Sequence, residues 1–187
     1  MSITTQPTPN PATLKFLLDD DILAAGTADF PDAATASEGS PLAARLFAVD
    51  GVDGVFLGRD FVTVTAKVDW TGALETQVAA AIEAHMATGE AIVTAPPTVP
   101  EVPISAADRP VVDRIEELLE SHIRPGVALD GGNIAFRHYA QGIVYLELQG
   151  ACAGCPSSTM TLRYSVENLL RHYVPEVREV RAIDAAN

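Results

Sequence analysis

Two cysteines, Cys152 and Cys155, are the only thiols in a chain of 187 residues. They stand in Gly150-Ala151-Cys152-Ala153-Gly154-Cys155-Pro156-Ser157-Ser158. Upstream, Ile143-Val144-Tyr145-Leu146-Glu147-Leu148 alternates as a strand does. Downstream, Pro156 suits the first turn of a helix, where its missing N–H would be unpaired anyway. Leu162, Val166, Leu169, Leu170 and Tyr173 then recur at the spacing of one helical face. This pattern predicts both thiols on a strand-to-helix turn, at the helix N-terminus. Unpaired amides and the positive dipole end favour thiolate there, and thiolates bind metals or exchange disulfides.

Three chemistries compete for the pair. A dithiol–disulfide oxidoreductase uses the same local geometry, but here no βαβ unit precedes the motif. A zinc site needs four ligands, which two thiols and two of His122, His138 and His172 would supply, though none stands at zinc-finger spacing. An iron–sulfur site also wants four thiolates. One chain offers two, and a two-fold axis through the site would supply the rest. Packing of both cysteines as small hydrophobes fits poorly with the glycines and alanines around them, which predict an open turn. The residues place the metal readings ahead of the redox one, and simple packing last.

The elements around the turn predict a small α-β-β-α-β domain. Asp108 is placed to cap a helix with Pro110 in its first turn and Val111, Val112, Ile115, Leu118, Leu119 and Ile123 on its apolar face. That helix is expected to end near Arg124-Pro125-Gly126. Asp130-Gly131-Gly132 reads as a tight turn into a strand over 134–139, and Gln141-Gly142 as a hairpin turn. After the cysteine helix, Pro175 breaks the chain and Val177 to Ile183 forms a last strand.

The first half predicts β-β-α-β-β-α. Strands are expected at Thr13–Leu18 and Ile22–Ala28, paired across the solvated turn Asp19-Asp20-Asp21, with a loop over 29–39. Ser40-Pro41 starts a helix, Val52–Leu57 and Phe61–Thr65 make a hairpin, and Leu74, Val78, Ala81, Ile82 and His85 mark a second helix closed by Gly89. Trp70 reads as an anchor of the core or its rim, and His85 as packing or surface rather than a ligand. Residues 1–95 hold four basic and thirteen acidic side chains, a net of −9, and no cysteine. This half reads as docking or structural. Between the halves, Ala95 to Pro103 carries four prolines in nine residues, a stiff spacer. The expected class is therefore α+β, two small α/β sandwich domains at 1–94 and 105–187 joined by a Pro-rich linker at 95–104.

The whole chain carries 12 basic and 25 acidic residues, a net charge of −13. That argues against nucleic acid as a partner, since phosphate binding runs on clustered Lys and Arg. No apolar run reaches membrane-span length, and two cysteines make no secreted disulfide scaffold. The first thirteen residues have neither the charge nor the apolar core of a targeting signal. These features point to a reducing cytosol, or to a matrix-like compartment if a presequence has been removed.

Ile123-Arg124-Pro125, Asp130-Gly131-Gly132, Gly150 through Ser158, Thr161-Leu162, Glu167 and Val174-Pro175-Glu176-Val177 closely resemble the C-terminal domain of NifU, the Nfu domain. Thr8-Pro9-Asn10-Pro11, Leu14-Lys15-Phe16, Ser40-Pro41-Leu42-Ala43, Leu46-Phe47, Gly51-Val52, Val55-Phe56 and Asp60 to Thr65 resemble the domain that often precedes it in Nfu proteins. The resemblance implies an iron–sulfur cluster carrier, not an enzyme. Cys152 and Cys155 of two protomers would hold one [4Fe–4S] cluster, bridging a homodimer. The cluster would come from upstream assembly proteins and pass to apo-enzymes. One departure stands out: Arg163-Tyr164-Ser165 replaces the family's Lys-x-Gly.

Overall fold

The computed structural model describes residues 2–95, 102–154 and 156–183, with only the backbone of 156–158. It has two compact units, Met1–Thr98 and Val99–Asn187. Most of the Pro-rich spacer, residues 96–101, lies outside the described residues. Both units are α+β.

In the first unit, strands Ile3–Pro7 (β1), Thr13–Leu18 (β2), Ala28–Phe30 (β3), Val52–Leu57 (β4) and Phe61–Ala66 (β5) form an antiparallel sheet in the order β1-β2-β5-β4-β3. Helices Ala33–Gly39 (α1), Pro41–Phe47 (α2) and Gly72–Thr88 (α3) complete it. Phe16, Phe30, Leu42, Leu46, Leu57 and Ile82 are fully buried in its core. Burying each such side chain contributes roughly 1.5–3 kcal/mol. Lys15 is buried too, with its ammonium 4.2 Å from the Phe61 ring centre, where the ring face partly replaces water.

Three expectations for this unit change. The stretch 22–28 is not a strand paired back on β2. Both edges of β2 are taken by β1 and β5, so no third partner fits. The amides of Ile22 and Leu23 donate instead to Arg59 O, and the chain rejoins the sheet at Ala28, beside β4. The loop expected over 29–39 holds the end of β3 and all of α1. Asp32 caps that helix by accepting from the Thr35 amide at 2.8 Å. The order is therefore β-β-β-α-α-β-β-α.

The hairpin of β4 and β5 forms as its sequence requires, with a bulge between Val52 and Gly54. Ser40 does double service at the α1–α2 junction. Its Oγ accepts from the Ala43 amide at 3.0 Å and donates to Ile92 O at 2.5 Å. Thr94 and Ala95 amides donate to Gly39 O, so residues 92–95 fold back over the same junction. Trp70 is a rim anchor: half-buried, it donates from Nε1 to Ala12 O at 2.9 Å. His85 is fully buried, and neither ring nitrogen has a close hydrogen-bond partner among the described residues. Glu90 Oε2 lies 4.0 Å from Nδ1.

The second unit runs Arg109–Leu118 (α4), a π-helical turn Leu119–Ile123, Arg124–Leu129 (α5), Gly132–Ala140 (β6), Ile143–Gly150 (β7), Pro156–Tyr173 (α6) and Glu179–Ile183 (β8). The expected α-β-β-α-β order holds. β6 and β7 pair antiparallel through a turn at Gln141 (φ 53°) and Gly142 (φ 82°). β7 and β8 pair parallel, with α6 as the crossover that such a pair needs. Ile134, Val144, Leu146 and Val180 share one sheet face and pack with Val112, Ile115 and Leu119 of the first helical stretch and Val166 and Leu170 of α6. The other face carries Arg137 paired to Glu147, Asn133 bonded to Gln149, and His138 stacked on Tyr145.

Here too the structure corrects the reading. The first helix does not stop near residue 124 but continues to Leu129. A proline inside a helix lacks a donor and clashes with the preceding turn. The π-helical turn removes the conflict by widening the helix just before Pro125: the Arg124 amide donates to Leu119 O, five residues back. Asp108 makes no side-chain cap. Its own amide donates to Ser105 Oγ, and Ser105 Oγ donates to the Asp108 carboxylate at 2.7 Å, so Ser105 opens a leading turn. Tyr173 is 45% exposed, and Val174 fills the place expected for it. Ser165, the residue standing for the family glycine, is exposed on α6 and donates to Thr161 O. Arg163 donates to Val180 O at 3.1 Å and Glu167 accepts from the Val180 amide at 3.0 Å, so α6 side chains satisfy the outer edge of β8.

Two outcomes follow for the first unit. Ser40→Ala removes a helix cap and a buried partner of Ile92 O, and should lower stability by about 1–3 kcal/mol in urea unfolding. Desolvation, with Arg45 adding to it and Glu90 opposing, holds the His85 imidazole below its ordinary pKa of 6.5. The unfolded chain therefore binds the extra proton first. Stability should be full above pH 6.5 and fall as pH drops below it, and thermal melts of His85→Leu should show that slope flattened.

Candidate functional site

The turn joining β7 to α6 is bent by Gly150 (φ 61°) and Gly154 (φ 72°), both in the left-handed region that glycine tolerates best. The Ala151 amide donates to Gly131 O at 3.1 Å, and the Ala153 amide to Gly150 O at 3.0 Å. Thr159, one turn into α6, donates from Oγ1 to Cys152 O at 3.4 Å. The turn is thereby tied to α6 on one side and to the start of β6 on the other.

The tie to β6 shapes the surroundings of Cys152. Gly132 and Gly150 are the first register pair of β6 and β7. A Cβ at Gly132 would fall 2.7 Å from Cys152 Sγ and 2.7 Å from Gln149 O. Only glycine leaves room for this sulfur. Cys152 is 7% exposed and belongs to the core of the second unit, whereas Ala153 and Gly154 beside it are exposed. The open turn expected from the sequence is thus open only at its tip. Cys155, the other predicted ligand, lies outside the described residues.

Sequence reasoning treated Asp130-Gly131-Gly132 as a turn, and Gly131 serves as one with φ 83°. It missed that Gly132 is the wall against which the thiol rests. A second glycine directly after Gly131 was the available signal, because one tight turn needs only one of the two. Arg124 holds this wall in place. Its Nε donates to Ile134 O at 3.1 Å, and its other nitrogens bond Glu120 at 2.7 Å and Glu116 at 2.8 Å.

The histidines considered as zinc ligands stand elsewhere. His172 packs edge-on to Tyr173 and His122 lies beside the same ring. Sixteen residues of α6 separate His172 from Pro156, about 24 Å of helix. His138 is on the sheet face opposite the helices, stacked on Tyr145. Among the described residues no three His, Cys, Asp or Glu side chains come together as a metal site. Nor is any helix among them long and apolar enough to cross a membrane.

Comparison with known proteins matches both units. Residues 3–89 fit the family model described as "Scaffold protein Nfu/NifU N terminal", and residues 115–181 fit the NifU-like domain. A human protein named "NFU1 iron-sulfur cluster scaffold homolog, mitochondrial" is 43% identical over 98% of this chain and 72% of its own length. A Drosophila erecta protein of the same name is 44% identical over 98% of this chain. The chain spans about 65% of the length of that relative. Among solved structures, a NifU-like protein from Saccharomyces cerevisiae is 25% identical, with a TM-score of 0.41, covering 50% of this chain and 85% of that one.

Gly132→Ala should displace the turn, lower the stability of the second unit by about 1–3 kcal/mol, and speed alkylation of Cys152, measured in a Cys155→Ser background. Gly126→Ala is the control. Its added Cβ meets nothing within 4 Å, so the alkylation rate should stay unchanged.

Proposed function

The chain belongs to the Nfu family of iron–sulfur cluster scaffolds, and we propose that it carries one [4Fe–4S] cluster between two copies of itself and delivers it to apo-proteins. The cluster is cargo, held by Cys152 and Cys155 of each copy. Two thiols per chain are half of what a cluster needs, and a two-fold axis through the turn supplies the other half. The observation that carries this reading is the seat of Cys152. Its sulfur rests against a bare glycine on a turn, one residue from the exposed tip at Ala153. Rotation of one side chain brings such a thiol to a shared surface, and the reverse rotation withdraws it.

A carrier must release what it binds. Each Fe–S bond to this chain is replaced by an Fe–S bond to a recipient cysteine, and the proton from the recipient's thiol passes to the departing thiolate. No electron moves, and no small molecule is turned over. The peptide dipoles at the start of α6 stabilise the departing thiolate. Residues 1–94 act as a docking domain, 95–104 as the spacer and 105–187 as the cluster-binding domain. The net charge of −9 in the first half suits that role better than chemistry would.

Anaerobic reconstitution with iron and sulfide, read by native mass spectrometry and Mössbauer spectroscopy, tests the proposal. The expected product is a dimer with one four-iron cluster, and Cys152→Ser should lose both cluster and dimer. A monomer without iron, but with a readily formed Cys152–Cys155 disulfide, would favour the oxidoreductase. A colourless dimer retaining zinc would favour a structural metal.

A further inference from the structure

Beside the cysteine turn, α6 and β8 border a shallow, open recess of about 370 Å³ lined by Thr159, Met160, Arg163, Arg181 and Ala182. Met160 is 59% exposed and Tyr164, one turn on, 50%. The Arg163 guanidinium lies 4.6 Å from the Tyr164 ring centre and is pinned by its bond to Val180 O. Arg181 is half-exposed and donates two hydrogen bonds to its neighbour Glu179, on the same strand. Both members of the pair remain open to solvent.

The lining thus combines two arginines with a flexible thioether, beside the presented ring of Tyr164; Glu167 and Glu179 pair with the arginines from outside it, and it includes no carboxylate of its own. This stands out on a chain with 25 acidic and 12 basic residues. We infer that the recess docks a segment of a partner protein that presents a large apolar side chain flanked by carboxylates. A thioether fills irregular space and adapts to several apolar shapes, as a carrier with several recipients requires. A second copy of this chain is the wrong occupant. A two-fold axis through the recess itself would set its arginines against their own copies. Two arginines on an acidic protein are also too few for nucleic acid.

The position gives the recess its use. Thr159, in the lining, bonds to Cys152 O, and Met160 lies about 6 Å along the helix axis from Pro156. A segment seated there holds its parent protein against the cysteine turn, within reach for thiolate exchange. This assignment rests on the carrier reading above for its purpose, but not for its test.

Met160 is one of three methionines, with Met1 and Met86. Methyl-labelled methionine in the full-length apo-protein therefore gives a simple NMR spectrum, with Met86 of the first unit as internal control. The probe is a capped hexapeptide alternating glutamate with leucine or phenylalanine. Its titration should shift the Met160 signal saturably and leave Met86 in place, while the lysine counterpart should shift neither. Arg181→Glu should weaken the glutamate peptide by about fivefold, the value of one exposed charge pair. A silent Met160, or equal shifts with both peptides, overturns the assignment. So does a Met160 shift that appears only on cluster-driven dimerisation and excludes the peptide, which would make the recess a contact between copies. The titration needs no cluster, so its failure and a failed reconstitution remain distinct results.

Discussion

Everything about the cysteine turn depends on one close approach, that of Cys152 Sγ to the backbone at Gly132. The contact spans twenty residues of sequence and closes the end of the β6–β7 ladder. The hairpin register sets Gly132 opposite Gly150, and the Ala151–Gly131 hydrogen bond then draws the turn down onto β6. Arg124, held by two carboxylates, fixes the helical side of the same strand. A thiol held this way is neither buried by bulk nor left free in water. It is covered by one missing side chain, and small motions decide whether it is inside or outside.

Local pattern carried much of the architecture. The hairpin over Val52–Ala66, the Gln141-Gly142 turn, the Ser40-Pro41 helix start and the long α3 and α6 helices follow from alternation, glycine placement and apolar spacing. These are properties of contiguous residues, and contiguous residues show them. What the sequence hid was competition between distant parts. Ile22–Ala28 has the composition of a strand, yet the edge it would need was already filled from residues 3–7 and 61–66. Pro125 is a stop signal by itself. It ceases to be one when the preceding turn widens, and nothing in Leu119–Ile123 announces that.

The site divides along the same line. The cysteine spacing and the flanking strand and helix are local, so the turn was legible. The burial of Cys152 is not local, because it is set by Gly132. His85 is a similar case. Its face of α3 is apolar by periodicity, but its complete enclosure, with neither nitrogen closely partnered among the described residues, depends on residues outside the helix. The two units also divide the labour chemically. One contains both cysteines, and the other carries most of the net charge.

The bonds from Arg163 and Glu167 to Val180 have a consequence for the border of the second unit's sheet. An unpaired outer strand invites another chain to add to the sheet. Here the outward amide and carbonyl of Val180, in β8, are already occupied by side chains of the helix that leads into it. The opposite strand, β6, is kinked by an extra residue between Phe136 and His138, which spoils a flat template. With the borders of the sheet closed in these two ways, self-association by ribbon extension is disfavoured. The sheet of the second unit is thus a poor template for the addition of another chain.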